Sequence, residues 1–175
     1  PDTAFIYFPG PQAGIFAKQF AERGLANSGI KIIGAGDLTD DDTLNASGDQ
    51  MIGMITAGSY SAAHDSTTNK AYVAAFETAN KFRPNVVSLA GYDGMHLIYE
   101  ALKRTGGRSD GDTLLSAMKG MTWESPRGPM SIDPQTRDVV NNIYIRKVEK
   151  INGQLYNTEF ATFEAVRDPM KAGTK

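Results

Sequence analysis

The C-terminal third of the chain limits the possible folds most sharply. Residues 123–138 read WESPRGPMSIDPQTRD, and NNIYIRKVEKINGQLYNTEFATF follows from Asn141. Asn152-Gly153 between two apolar-containing runs is a strong hairpin signal, because a type I′ turn needs positive φ at both central positions. Pro126, Gly128, Pro129 and Pro134 stop any helix from crossing the segment before it. The stretch therefore predicts turn chemistry, a long strand, a tight turn and a second strand. None of its side chains forms a catalytic pattern.

The N-terminal part has a different rhythm. Phe5 to Phe8 belong to a predicted buried strand over 3–8, closed by Pro9-Gly10-Pro11. A helix is expected from about Gln12 to Arg23, with Ile15, Phe16, Phe20 and alanines on its apolar face and Gly24 as its cap. IKII at 30–33 reads as a second buried strand, and 52–60 as a third, thinner one. Strand, helix, strand at this spacing predicts a βαβ unit with parallel strands. A polar loop at 34–50 carries a short helix near Leu44. Helices are then predicted over about 69–82 (Tyr72, Val73 and Phe76 inward), 91–105 (apolar Met95, Ile98, Tyr99 and Leu102) and 113–119. The middle third is thus nearly all helical, and its amphipathic faces need something to bury against.

Composition narrows the function. A net charge of −2, with 18 Lys and Arg scattered along the chain, argues against a nucleic-acid partner. Cysteine is absent, which excludes disulfides, thiol catalysis and Cys-ligated metal, and fits a periplasmic setting. No run of about 18 apolar residues is present to span a membrane. Pro1-Asp2 leads at once into an apolar strand, so a fragment or processed product with its targeting signal upstream is expected.

Several local patterns invite chemistry. Gly34 and Gly36 open a G-x-G-x-x-T run, but a dinucleotide fingerprint needs a third glycine, and Asp40, Asp41 and Asp42 would repel a pyrophosphate. The same acids with Asp37 lack the glycine and distal Glu of a calcium loop, so no metal is expected. His64 and His96 have no partner at zinc-ligand spacing, and no nucleophile elbow is present. No catalytic residue and no cofactor is predicted. Asp37 lies just past a parallel strand, where open α/β sheets bind ligands, and a carboxylate there suits a ligand ammonium. Tyr60 can stack on or bond a ligand, or serve as a half-buried hinge tyrosine. The Pro9-Gly10-Pro11 turn, opening a helix, presents backbone N–H groups suited to a carboxylate, or is a simple βα loop.

Taken in order, FIYFPGPQAGIFAKQFAERGL, IKIIGAGDL, GMITAGSYSAAHDSTTNKAYVAAFETANKFRPN, YDGMHLIYEALKRTGG and GMTWESPRGPMSIDPQTRD, then the hairpin, the chain resembles the second half of type I periplasmic solute-binding proteins. The branch is that of the leucine/isoleucine/valine-binding proteins of ABC importers, and SPRGPMSID is similar to the family's turn before its return strands. The resemblance implies a parallel three-layer α/β sandwich in each of two lobes, with a ligand cleft between them and the N-terminal half absent from this chain. It places residues 1–57 and 144–168 in the second lobe, 61–138 as the helical part of the first, and 169–175 as a tail. Crossings fall near Gly58–Ser61 and Val139–Tyr144.

The implied ligand contacts are Phe8, Pro9 and Gly10 after the first strand, and Gly36 and Asp37 after the second; Tyr60, read from its place at a strand end, is a further candidate. Pro9 stands where the family often has a Tyr, and Gly36 where amino-acid binders place an acid for the α-ammonium. An amide or an aromatic carboxylate is therefore an alternative to a branched-chain amino acid. The implied partners are a small-molecule ligand, a membrane permease, and a missing N-terminal half or a swapped second copy to cover the helices. The expected location is periplasmic. Rival readings are a sensory receptor domain of the same fold, which needs a fused output domain, and a small α/β enzyme, which needs a clustered acid–base pair.

Overall fold

A computed structural model describes residues 1–8 and 10–171. Among the described residues, seven strands and five α-helices follow one another as β1 (Thr3–Ile6), α1 (Gln12–Glu22), β2 (Lys31–Ala35), α2 (Leu44–Ser47), β3 (Ile55–Gly58), α3 (Thr67–Asn80), α4 (Val86–Arg104), α5 (Gly111–Met118), β4 (Thr122–Ser125), β5 (Gly128–Ile132), β6 (Val139–Ile151) and β7 (Gln154–Val166). The sheet order is β1-β2-β3-β6-β5-β4, with β7 on the free side of β6. The first three strands are parallel and the others antiparallel, so the fold is a mixed α/β sheet with the expected βαβ start.

β6 changes partners along its length. Its start pairs with β5 (Met130 opposite Asn141), and its middle pairs with β3 (Gly58 opposite Tyr144, Ile55 opposite Lys147). One long strand thus joins two groups of elements, each with its own core. Ala13, Ala17, Ile32, Leu38, Leu44, Met51, Met54, Val148 and Leu155 form the larger core. Tyr60, Tyr72 and Leu89 form the smaller, with Val73, Phe76 and Val86 against it. The two-residue turn at Asn152 (φ 50°) and Gly153 (φ 82°) has the positive φ pair predicted for it.

Four details differ from expectation. β1 is an edge strand, and Phe5 is 67% exposed because no described element covers that face. Ile15 likewise points outward from α1, which buries Ala13 and Ala17 instead. α4 begins at Val86, five residues early, because Asn85 and Ser88 exchange side-chain-to-backbone bonds in a capping box. The proline-containing segment before β6 is itself a short hairpin, with Glu124 opposite Pro129.

The apolar faces of the middle third are only partly covered. α3 sets Tyr72, Val73 and Phe76 against the start of α4, which buries Tyr72 and half-buries the other two. On α4, Tyr92, Met95, Ile98 and Tyr99 remain exposed, and α5 leaves Leu115 exposed.

Candidate functional site

Parallel pairing brings the C-terminal ends of β1, β2 and β3 to one edge. Ile6 lies beside Gly34, and Ala35 beside Ala57. Past those ends lie Phe8 and Gly10 after β1, Gly36 and Asp37 after β2, and Ser59 and Tyr60 after β3. Phe8 and Asp37 are at least partly open to solvent, and the Phe8 ring sits 5.5 Å from that of Phe16 on α1. Gly10 has φ 65° and accepts a bond from the Ala13 amide at 3.2 Å, which turns the chain into α1. Pro9 lies outside the described residues. This edge is the candidate ligand site.

Behind it sits a residue the sequence reading missed. Arg146 on β6 stands opposite Thr56 and is only 4% exposed. Its guanidinium donates to the carbonyl of Tyr60, to the carbonyl of Gly36 (3.3 Å) and to Thr56 Oγ1 (3.1 Å). It reaches them because two glycines leave room. A Cβ on Gly36 would lie 3.0 Å from Nη2, and one on Gly58 would lie 2.7 Å from it. Burial pulls Arg146 below the usual arginine range, while Asp41, Asp40, Glu159 and Asp37 act against that shift.

The segment after β3 is fastened from both sides. Tyr60 is 1% exposed, and its hydroxyl donates to Asn69 Oδ1 at 3.1 Å. Burial raises its pKa above the usual phenol range. Its ring therefore packs in the smaller core, two residues past the end of β3. Asn69 Nδ2 donates to the carbonyls of Ala62 (3.1 Å) and His64 (2.9 Å). Ser61 Oγ donates to the carbonyl of Asn157 at 2.6 Å, and the Ala62 amide donates to Asp41 Oδ2 at 3.1 Å. His64 Nδ1 lies 2.8 Å from Glu159 Oε2. Asp41 also faces Arg83 at 3.6 Å, and burial raises its pKa.

The acids at 40–42 do not converge. Asp40 Oδ1 accepts from the Asp41 amide, Asp41 turns inward, and Asp42 accepts from Asn85 Nδ2. Among the described residues, no group of three or more His, Cys, Asp or Glu side chains is placed to hold a metal ion. No described helix is long and apolar enough to cross a membrane.

A family model described as "Periplasmic binding protein" matches residues 1–154. The chain belongs to that family. Leu/Ile/Val-binding protein homolog 6 of Brucella abortus (strain 2308) is 41% identical over 169 residues, covering 94% of this chain and 43% of the relative. A solute-binding protein of an ABC transporter from Rhodopseudomonas palustris BisB5, solved in complex with 3,4-dihydroxybenzoic acid, is 61% identical. It superposes with a TM-score of 0.93 over 98% of this chain and 47% of that one. A second, from R. palustris HaA2 in complex with p-hydroxybenzoic acid, is 38% identical with a TM-score of 0.90, over 99% of this chain and 48% of that one. The chain thus spans less than half the length of these periplasmic binding protein relatives.

Proposed function

We propose that this chain forms part of an extracytoplasmic solute-binding component of an ABC importer, and that its ligand is an aromatic carboxylate bearing ring hydroxyls. The observation that carries the reading is the 61% identity, across 98% of the chain, to a solute-binding protein solved with 3,4-dihydroxybenzoic acid. The chemistry of the site agrees. Phe8 and Phe16 offer ring faces, Asp37 offers an acceptor for a phenolic hydroxyl, and position 36 carries no side chain that could pair with an α-ammonium. The relatives are named as binding proteins, and the reading is of a carrier rather than an enzyme.

In this reading 1–57 and 144–168 form one lobe and 61–138 contribute to the other. The segment at 58–61 and the partner change along β6 at 139–144 are the crossings between them. Closure of the lobes over the ligand presents the complex to a membrane permease. The exposed stripe on α4 and the open face of β1 are covered by the remainder of a full-length polypeptide, or by a swapped second copy.

A branched-chain amino acid is the second reading, favoured by the 41% identity to a Leu/Ile/Val-binding protein homolog. Thermal-shift titration of the full-length polypeptide with 3,4-dihydroxybenzoate, 4-hydroxybenzoate, benzoate and leucine separates the two. A ligand at about 100 times its Kd stabilises by about 2.7 kcal/mol through mass action. A shift with leucine and none with the hydroxybenzoates would replace the first reading with the second.

A further inference from the structure

We propose that Arg146 is a positioning residue that couples the candidate ligand loop at Gly36–Asp37 to the crossing segment at Tyr60, so that ligand contact at the first is felt at the second. The proposal rests on the ligand-binding reading above. Its basis is that one buried guanidinium donates to the main chain of both segments. Gly36 begins the turn that carries Asp37, and Tyr60 lies two residues past the end of β3. A planar fork on a delocalised cation holds two carbonyls in a fixed relation, which a flexible ammonium does not.

The surroundings are built around this contact. Thr56, directly opposite Arg146 in the sheet, takes a third guanidinium bond at 3.1 Å and also meets Thr39 Oγ1 at 3.0 Å. Gly36 and Gly58 keep the slot open from both sides, and Arg146 Nη2 is the nearest atom to a Cβ built at either position. The Gly36 turn ends at Thr39, whose carbonyl accepts from Asn157 Nδ2 at 2.7 Å, while the Asn157 carbonyl accepts from Ser61 in the crossing. A movement of the ligand loop therefore has three hydrogen-bonded routes to the crossing, through Asn157, through Asp41 and Ala62, and through Arg146, which alone of the three bonds Gly36 itself.

The test uses two variants of the full-length polypeptide. Arg146→Lys keeps a cation but loses the fork. Gly58→Ala keeps the arginine but builds a methyl 2.7 Å from Nη2, too close to be tolerated, so the guanidinium must shift. Affinity for 3,4-dihydroxybenzoate is read by calorimetry, and amide exchange is followed in peptides covering 34–42 and 58–64. In the wild type, ligand should protect both peptides. In each variant, affinity should fall about tenfold, the scale of a typical coupling between sites, and ligand should protect 34–42 without protecting 58–64. A melting temperature that falls while affinity and the protection of 58–64 stay at wild-type values would make Arg146 merely structural and end the proposal. If the wild type binds no hydroxybenzoate, the ligand reading fails separately. The coupling is then judged from ligand-free exchange alone, where both peptides must loosen together in the two variants. Loosening of only one overturns it.

Discussion

Arg83 lies over the ring of Tyr156, with its guanidinium carbon 3.8 Å from the ring centroid. The same group donates to the Leu155 carbonyl and to Gln154 Oε1, both at 2.7 Å, and faces Asp41 at 3.6 Å. The connection between α3 and α4 is thereby tied to β7 and to the loop after β2. Truncation to Ala would leave the buried Asp41 carboxylate without its arginine and remove a donor from the Leu155 carbonyl. Arg83→Ala should cost about 3 kcal/mol, the lower end for breaking a buried pair, measured by urea unfolding. Asp41→Asn should cost clearly less, because its side-chain oxygen still accepts from Ala62 while the buried charge is gone. Equal losses in the two variants would contradict this account.

Asp40 gives the fold a pH dependence. Burial, then the charge of Asp42, raise its pKa from 3.8 to about 6. The folded state thus holds this proton more tightly than the unfolded chain does. Its contribution to stability is fully present below 3.8 and is lost as pH rises through about 6. Asp40→Asn should therefore have close to the wild-type urea midpoint at pH 3 and a higher one at pH 7. The Asn side chain can keep the bond from the Asp41 amide, so the comparison isolates the charge. A variant less stable than wild type at pH 7 would show that the carboxylate is stabilising there.

The hairpin turn offers a cleaner backbone test. Gly153 has φ 82°, and a Cβ there would meet no atom within 4 Å, so only backbone conformation opposes substitution. Gly153→Ala should cost about 1 kcal/mol, the usual scale for placing an L-residue in the left-handed region. Loss of the β6–β7 pairing altogether, seen as loss of strand signal in circular dichroism, would mean the turn dictates register more strongly than the cross-strand contacts do.

Local signals made much of this fold legible. Asn152-Gly153, the strand–helix–strand pattern before residue 36 and the glycine cap at 24 are each decided by neighbouring residues, and each is found where it was read. Arg146 was not legible. An arginine in a strand reads as an outward group, although Tyr144 and Val148 at the same two-residue phase are buried and were a usable signal. Its partners Gly36 and Tyr60 lie 110 and 86 residues away, beyond any pattern in one window. Tyr60 was read with the ligand contacts and with the hinge alike, and only its bond to Asn69 shows that its hydroxyl is engaged inside the core. The prolines at 126 and 129 hid β4 and β5, since proline within a short edge hairpin looks the same in sequence as proline in a loop.

Tyr92, Met95 and Tyr99 recur at helical spacing along α4 and are all exposed, Tyr99 by 57%. An apolar stripe of this kind in water is a liability at roughly 25 cal/mol per Å² of surface left uncovered. The 175-residue chain on its own should self-associate, or bind an apolar dye strongly, when examined by light scattering at micromolar concentration. Met95→Glu with Tyr99→Glu should reduce both effects without lowering helix content, because the two side chains lie outside the described cores. If the proposed covering segment sits on this face in a full-length polypeptide, the same pair should destabilise that fold by placing two charges in a buried contact. A wild-type 175-residue chain that runs as a dye-silent, well-folded monomer would show that this face needs no partner.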